Sequence, residues 1–471
     1  MMPAMPPEAT HSDSRSAFRV IGEGTFWVSS STLVVKIIGL ATVFLILRQL
    51  GAAEYGILEL TLSITALLSI FMLPGLEATI IADMGIAKGN GQLGTARNIL
   101  SAFIILQLIC SVVAWTMVFF GSHVLAAFYS VPPHYAQVVA FLFLLSPIRS
   151  AYGILFRVNL QFFHQSMLTI LEEAVKLALL ILMFFVTDLG VFKLLFVMLG
   201  SQAIALVTLL PQFLRAWRSL QGGIPEAQSL WNLIRGLGKW SIFSTYAGNF
   251  GKSIRLWIIQ RMLGTEAVGI YAVAIGLIGH TIALAPLGSV IAPILPQYVQ
   301  DRERFTRLLN KGMKYQLIAY LTIGGIGFFV FPPILLRIFP DYAPAMPLFQ
   351  IMLFGLVPVA LISIFTPAFF ALKLQKNFFY SMVFKTIVSI AFTYGLIVMF
   401  GIWGLAYEYI LTSVVYGAER MRVLRKHIPD VRFDSRHFIS FDNDDRLLIG
   451  KMSGFVGRLM PLSFTRRGID S

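Results

Sequence analysis

The sequence predicts an all-α polytopic membrane protein, with about twelve transmembrane helices in two pseudo-symmetric six-helix lobes around a central cleft. Three observations predict it. The chain of 471 residues is 57% hydrophobic and only 13% charged, against about 25% charged residues in soluble domains. Its mean hydropathy is +0.78. Apolar stretches of about 20 residues, the length that crosses a ~30 Å hydrocarbon layer as a helix, recur along it. A short polar break is written twice, as "RQLGAAEYGI" at 48–57 and "RMLGTEAVGI" at 261–270.

The expected spans in the first lobe are 26–47, 56–74, 97–121, 136–156, 166–186 and 190–212. In the second lobe they are 239–259, 267–291, 314–336, 346–370, 380–400 and 401–418. Helices follow because backbone groups in lipid must bond internally, and the alternating ten-residue pattern of a barrel is missing. The domain plan is a cytoplasmic tail at 1–24, a first lobe at 25–212, a linker at 213–238, a second lobe at 239–418 and a basic tail at 419–471. The opening "MMPAMPPEATHSDSRS" has no apolar core, so it reads as a tail rather than a cleaved signal peptide. In the basic tail, "LLIGKMSGFVGRLM" (447–460) reads either as an amphipathic helix lying on the inner leaflet or as part of a disordered partner-binding tail.

The net charge of +14 reads as topology. Lys and Arg gather in alternate loops: Lys88 and Arg97; Arg157; Arg215, Arg218, Arg235 and Lys239; Arg302, Arg304, Arg307, Lys311 and Lys314; Lys373 and Lys376. The 122–135 loop has none. This positive-inside pattern places both termini and the linker in the cytoplasm. No aromatic-basic module accompanies the charge, which argues against nucleic acid as a partner.

The two breaks agree at Arg48/Arg261, Leu50/Leu263, Gly51/Gly264, Gly56/Gly269 and Ile57/Ile270. At the same offset of 213 residues Trp27 matches Trp240 and Ser31-Thr32 matches Ser244-Thr245, while Pro147 and Pro358 fall in the fourth helix of each lobe. Each copy joins the first two helices of a lobe. With six helices per lobe, matching helices point the same way, and the two-fold axis lies along the membrane normal.

Charge inside the membrane marks the candidate site. Lys36, Arg149, Lys176, Lys252, Arg255 and Lys385 fall within expected spans. A basic group at a helix centre costs roughly 2.5–3.5 kcal/mol on insertion scales, so it faces a cavity or a partner. Ser29, Thr32, Lys36 and Gly39 form a polar stripe on the first helix. Ser241, Thr245, Gly248, Lys252 and Arg255, with Asn249 nearby, do so on the seventh. Two such stripes facing each other would line a central cationic cleft, with Arg255 at its outer side. Lys176 has Glu172 and Glu173 within reach on its own helix, and Lys385 is close enough to a helix end to snorkel. Lys36, Arg149 and Lys252 have no acid on their own helix face and are expected to converge on one site. Glu59 and Glu408 are candidates for pairing with these cations or for coupling to an ion.

Enzymatic chemistry is not expected. "YAGNFGKS" (246–253) lacks the first glycine of a phosphate loop and has no strand before it. The seven histidines are scattered without metal-ligand spacing, and one cysteine, Cys110, permits no intrachain disulfide. The expectation is no cofactor. The interruptions at Pro74-Gly75, in "APLGSVIAPILP" (285–296) and at Pro332-Pro333 read as helix kinks.

"LVVKIIGLATVFLILRQLGAAEYGILELTLSI" (33–64) resembles the opening of the polysaccharide/O-antigen flippases of the multidrug/oligosaccharidyl-lipid/polysaccharide (MOP) exporter superfamily. Leu50-Gly51 and Tyr55-Gly56 occupy that opening's Leu-Gly and Tyr-Gly positions. The twelve-helix plan extends the resemblance over roughly 20–420. The resemblance implies movement of an undecaprenyl-pyrophosphate-linked oligosaccharide from the inner to the outer leaflet of the cytoplasmic membrane, for surface polysaccharide synthesis. It implies alternating access, coupling to a Na+ or H+ gradient or to the membrane potential, and work beside a polysaccharide polymerase and a chain-length regulator. Three alternatives stay open: an ion-coupled drug antiporter, a lipid II flippase, and a membrane assembly protein with no transport role. Antiporters of cations should favour acids in the cleft, and here deep bases outnumber deep acids.

Overall fold

The computed structural model describes residues 31, 34–186, 190–220, 239–292, 295–299 and 301–429. The expectations for Ser29, Thr32, the tail at 1–24, most of the linker and the 447–460 segment lie outside them.

Every expected span carries a helix. In the first lobe α1 covers 34–49. Then follow α2 (Ala52–Leu67), α3 (Leu76–Gly89), α4 (Leu93–Phe120), α5 (Ser122–Tyr129), α6 (Pro133–Val158), α7 (Phe162–Val186), α8 (Val191–Thr208) and α9 (Leu210–Arg218). In the second are α10 (Lys239–Leu263), α11 (Thr265–Ala283), α12 (Leu287–Ile291), α13 (Arg302–Ile338), α14 (Ala345–Met352), α15 (Leu356–Ala371), α16 (Gln375–Phe400) and α17 (Gly404–His427). Among the described residues, seven helical stretches are by themselves long and apolar enough to cross a membrane. The other spans miss that mark for visible reasons. The second span is cut short at Leu67, and α7 and α10 carry charged residues.

The second span of each lobe is broken, not merely kinked. In the first, Leu73 (φ 49°) and Gly75 (φ 83°) turn left-handed between α2 and α3. The equivalent break, between α11 and α12, falls at 284–286, where Pro286 has no N–H to continue the ladder. By contrast Pro332-Pro333 lies inside the continuous α13 and Pro147 inside α6. Two further boundaries differ from expectation. Helix α9 runs to Arg218, so the linker begins helical. Helix α17 passes residue 418 and continues to His427, with Arg420 buried at 1% exposure.

The repeated breaks meet in space. Helices α2 and α11, the second span of each lobe, pack against each other. At their contact a Cβ on Gly56 would lie 2.1 Å from the Thr265 carbonyl oxygen, and one on Gly269 would lie 1.9 Å from that of Ala52. Equivalent glycines thus face each other across the pseudo-axis, as residues do in a two-fold interface. No other residue type allows backbones this close.

A second matched pair flanks this contact. Tyr342 donates its hydroxyl to the Leu50 carbonyl at 2.8 Å, from the second lobe to the first. Tyr129, 213 positions earlier, reaches from the first lobe to Ser253 Oγ at 2.6 Å. Both tyrosines are buried. Trp257 Nε1 donates to the Phe128 carbonyl at 2.9 Å, and the Trp257 and Phe128 rings stack 4.7 Å apart. The two lobes are therefore closed against each other at the end of the bundle that carries the repeats.

Candidate functional site

Among the described residues, cavities open in both lobes of the bundle, and α10 touches one in each. The first, of 530 Å³, lies in the first lobe among α2, α6, α7 and α8, with Lys252 and Leu256 of α10 closing one side. Its walls carry Ser63, Thr65, Ser146, Ser150, Ser201 and Gln202. Its charges are Glu59, Arg149, Glu172, Lys176 and Lys252. Arg149 Nε pairs with Glu172 at 2.9 Å, and Lys176 pairs with Glu173 at 2.7 Å. Glu59 lies within electrostatic reach of Lys252 and beside Tyr55. Counting Glu173 behind Lys176, three acids meet three bases, and the cavity is polar and charge-balanced. Its ion pairs and hydroxyls can bond a neutral polyhydroxylated molecule on several sides.

The second cavity, of 240 Å³, lies between α10 and α16 in the second lobe. It is lined by Gly248, Gly251, Lys252, Arg255, Lys385, Thr386 and Ser389. Gly248 and Gly251 let α16 approach α10, since a Cβ on either would press within 2.9 Å of Met382 or Thr386. Arg255 is held from three helices. It donates to Tyr271 Oη of α11 at 3.0 Å and to Ser389 Oγ of α16, and it pairs with Glu408 of α17 at 3.2 Å. Glu408 is fully buried, and its Oε1 also accepts from Ser389 at 2.8 Å and Thr412 at 2.9 Å. Glu408 therefore neutralises Arg255. Lys252 forms no salt bridge among the described residues, nor does Lys385, whose ammonium sits 5.0 Å from the Tyr416 ring centre. Glu408 is taken by Arg255 and Glu59 approaches Lys252 from the first cavity, so the three cations lining this small void outnumber the carboxylates near it and attract an anion.

The third cavity, of 720 Å³, lies in the second lobe at the α11–α12 break and has mainly apolar walls. Lys36 of α1 closes it and donates to the Ala283 carbonyl, the last of α11. The matching contact in the other lobe is made by Asn249, which stands 213 positions after Lys36. It donates to Ser69 Oγ at 3.1 Å, just beyond α2. Each first helix thus reaches the broken second helix of the opposite lobe.

Several expectations need correction. Lys36, Arg149 and Lys252 do not share one site. Arg149 and Lys252 line the first cavity, whereas Lys36 lines the third. Arg149 is paired after all, because Glu172 reaches it from a neighbouring helix. Of the two acids near Lys176, the i−3 residue Glu173 is the partner. Arg255 is not at the outer rim of a cleft but locked inside the second lobe. Of the first stripe, Lys36 and Gly39 are described, and Lys36 reaches the end of α11. Within the second stripe, Thr245 turns back onto the Ser241 carbonyl at 2.9 Å, close to Gly75.

Other relevant residues escaped the sequence reading. Glu77 of α3 accepts from Ser150 at 2.6 Å behind the first cavity. Gln316 and Thr366 line the third. Tyr129 and Tyr342 share the repeat offset, and that spacing is the signal that would have found them.

Comparison with known proteins places this architecture. The chain resembles an inward-facing multidrug resistance MATE family transporter of the MOP superfamily, with TM-score 0.70 and 14% identity over 85% of this chain and 96% of that one. It resembles lipid II flippase MurJ in its inward closed conformation, with TM-score 0.69 and 12% identity over 92% of this chain and 96% of that one. A MOP superfamily transporter from Pyrococcus furiosus, described as having a binding pocket of reverse polarity, aligns with TM-score 0.62 and 14% identity over 85% and 96%. At these identities the likeness establishes the fold. No curated protein matches the chain. The family model described as "polysaccharide biosynthesis protein" matches residues 21–299, more than half of the length, and the chain belongs to that family.

Proposed function

We propose that the protein flips an undecaprenyl-pyrophosphate-linked oligosaccharide from the inner to the outer leaflet of the cytoplasmic membrane, by alternating access of the two lobes, for surface polysaccharide synthesis. The observation that carries the reading is a pair of cavities of different character sharing one lysine. The 530 Å³ void offers hydroxyls, an amide and balanced ion pairs, which suit sugars. The 240 Å³ void offers Lys252 and Lys385, which suit the pyrophosphate. Lys252 lines both and joins them as the head group of one molecule would require. Family membership agrees with a role in polysaccharide synthesis.

The carboxylates fit less well with an antiporter of cationic drugs. Glu172 and Glu408 are each occupied by an arginine. Glu59 is left as the acid for ion coupling, its charge near Lys252. Both termini lie in the cytoplasm on this reading, from the basic-loop asymmetry, and the protein works beside a polymerase.

The test is flipping of a lipid-linked oligosaccharide in proteoliposomes. Lys252→Ala and Lys385→Ala should each lower the rate at least tenfold with normal folding, and Lys252→Arg should retain part of it. Parental rates in both alanine variants would refute the assignment. Transport of cationic drugs with no flipping by the parent would favour the antiporter.

A further inference from the structure

We infer that the 720 Å³ cavity of the second lobe is a separate binding site for a lipid phosphate. Its walls include Ile282, Ala283, Pro286, Pro367, Phe370 and Ala371, and a sugar would find few partners there. The volume is in the range that holds a drug-sized apolar ligand. Its polar groups are few and specific. The Lys36 ammonium stands at the wall where α11 ends, and no salt bridge to it exists among the described residues.

Gln316 is fully buried and lines the cavity. Its Nε2 donates to the Ala285 carbonyl at 2.8 Å, while its Oε1 has no partner. Such an orphan acceptor costs roughly 1–3 kcal/mol unless a donor arrives. A hydroxyl or a protonated phosphate oxygen of a head group supplies one.

A second cation stands behind the wall. Arg420 is 1% exposed and donates to Thr366 Oγ1, a lining atom, at 2.6 Å. It forms no salt bridge among the described residues. Its Nε is unpartnered, and the rings of Phe378 and Tyr416 flank it at 4.5 and 4.4 Å. A lysine without a salt bridge in the wall of an apolar void, with a second cation one hydroxyl behind that wall, calls for an anion with an apolar body. A phosphate near Lys36, with its chain along the proline-rich walls, suits the ammonium, the Gln316 acceptor and the apolar lining together. The broken helix makes this possible, because non-helical backbone at membrane depth is tolerated where it lines a cavity.

The shared chemistry has two sources, an isoprenoid carrier phosphate and a bilayer phospholipid. The full chain in detergent is titrated with undecaprenyl phosphate, phosphatidylglycerol and neutral diacylglycerol, and bound lipid is read by native mass spectrometry. The parent should retain one of the phosphate lipids at least tenfold better than diacylglycerol, and the better-retained one identifies the source. Ala371→Trp, which fills the void, and Lys36→Gln, which removes the charge, should each weaken retention about tenfold. Arg304→Gln, at the exposed start of α13, should not. Thermal midpoints show that each variant is folded.

Retention equal to diacylglycerol, or unchanged in both cavity variants, overturns the inference. This site rests on its own cavity and is measured without transport. A protein that retains lipid phosphate but does not flip lipid-linked sugar therefore refutes the proposed function alone.

Discussion

Replacing Gly269 by alanine tests the closed contact between the lobes directly. The added Cβ would fall 1.9 Å from the Ala52 carbonyl oxygen and 2.8 Å from its carbon. Carbon and oxygen approach to about 3.3 Å at best, so the two helices must separate by roughly 1.4 Å at this point. The obstacle is backbone, which no rotamer change relieves. Overpacking of this kind costs about 1–3 kcal/mol. The penalty falls only on the arrangement in which α2 and α11 touch, so about 2 kcal/mol shifts the ratio of closed to open by up to about thirtyfold. Spin labels at Glu54→Cys and Glu266→Cys in a Cys110→Ser chain would report the distance, both native side chains being exposed. The parent should give one short distance and Gly269→Ala a second, longer one. Gly51→Ala is the control from the same repeat, because a Cβ there meets nothing within 4 Å. Identical distance distributions and thermal midpoints in parent and Gly269→Ala would refute the reasoning.

Tyr129→Phe and Tyr342→Phe each remove a hydrogen bond between the lobes and should weaken closure by about 1 kcal/mol, read by the same labels. A distance unchanged in the double variant would deny them that role. Glu408→Leu leaves Arg255 buried without its carboxylate and should lower stability by about 3–5 kcal/mol in thermal unfolding. Adding Arg255→Met should recover much of the loss, and a parental midpoint for Glu408→Leu alone would show that the pair is not structural. Cysteines placed within 122–135 should react with impermeant reagent in intact cells, while those within 213–238 should be protected. The reverse pattern inverts the topology.

Because hydropathy is a local signal, and the 48–57/261–270 repeat is equally local, helix content was legible. So was the importance of Gly56 and Gly269, though not that they touch. The broken second spans were half legible. Pro74-Gly75 and Pro286 marked them, but the left-handed turn at Leu73 has no sequence signature. Partnerships between helices were not legible. Arg149 meets Glu172 across 23 residues and Arg255 meets Glu408 across 153. A helical wheel shows which face a charge occupies, not which helix arrives opposite it. The same blindness hid Arg420, whose basic neighbours Arg422, Arg425 and Lys426 suggested a solvated tail although its own side chain is enclosed by aromatic rings.

Lys252 borders both the polar void and the small cationic one. Its four-carbon stem lets the ammonium swing between them while α10 stays still. Side-chain rotamer hops of exposed residues take picoseconds to nanoseconds, whereas rocking of whole lobes takes microseconds to milliseconds. On the proposed function, a phosphate held by this ammonium could therefore be handed from one chamber to the other many times within a single stroke of the lobes. Positioning of the head group would then be a fast pre-equilibrium, and turnover would be set by the slower separation of α2 from α11.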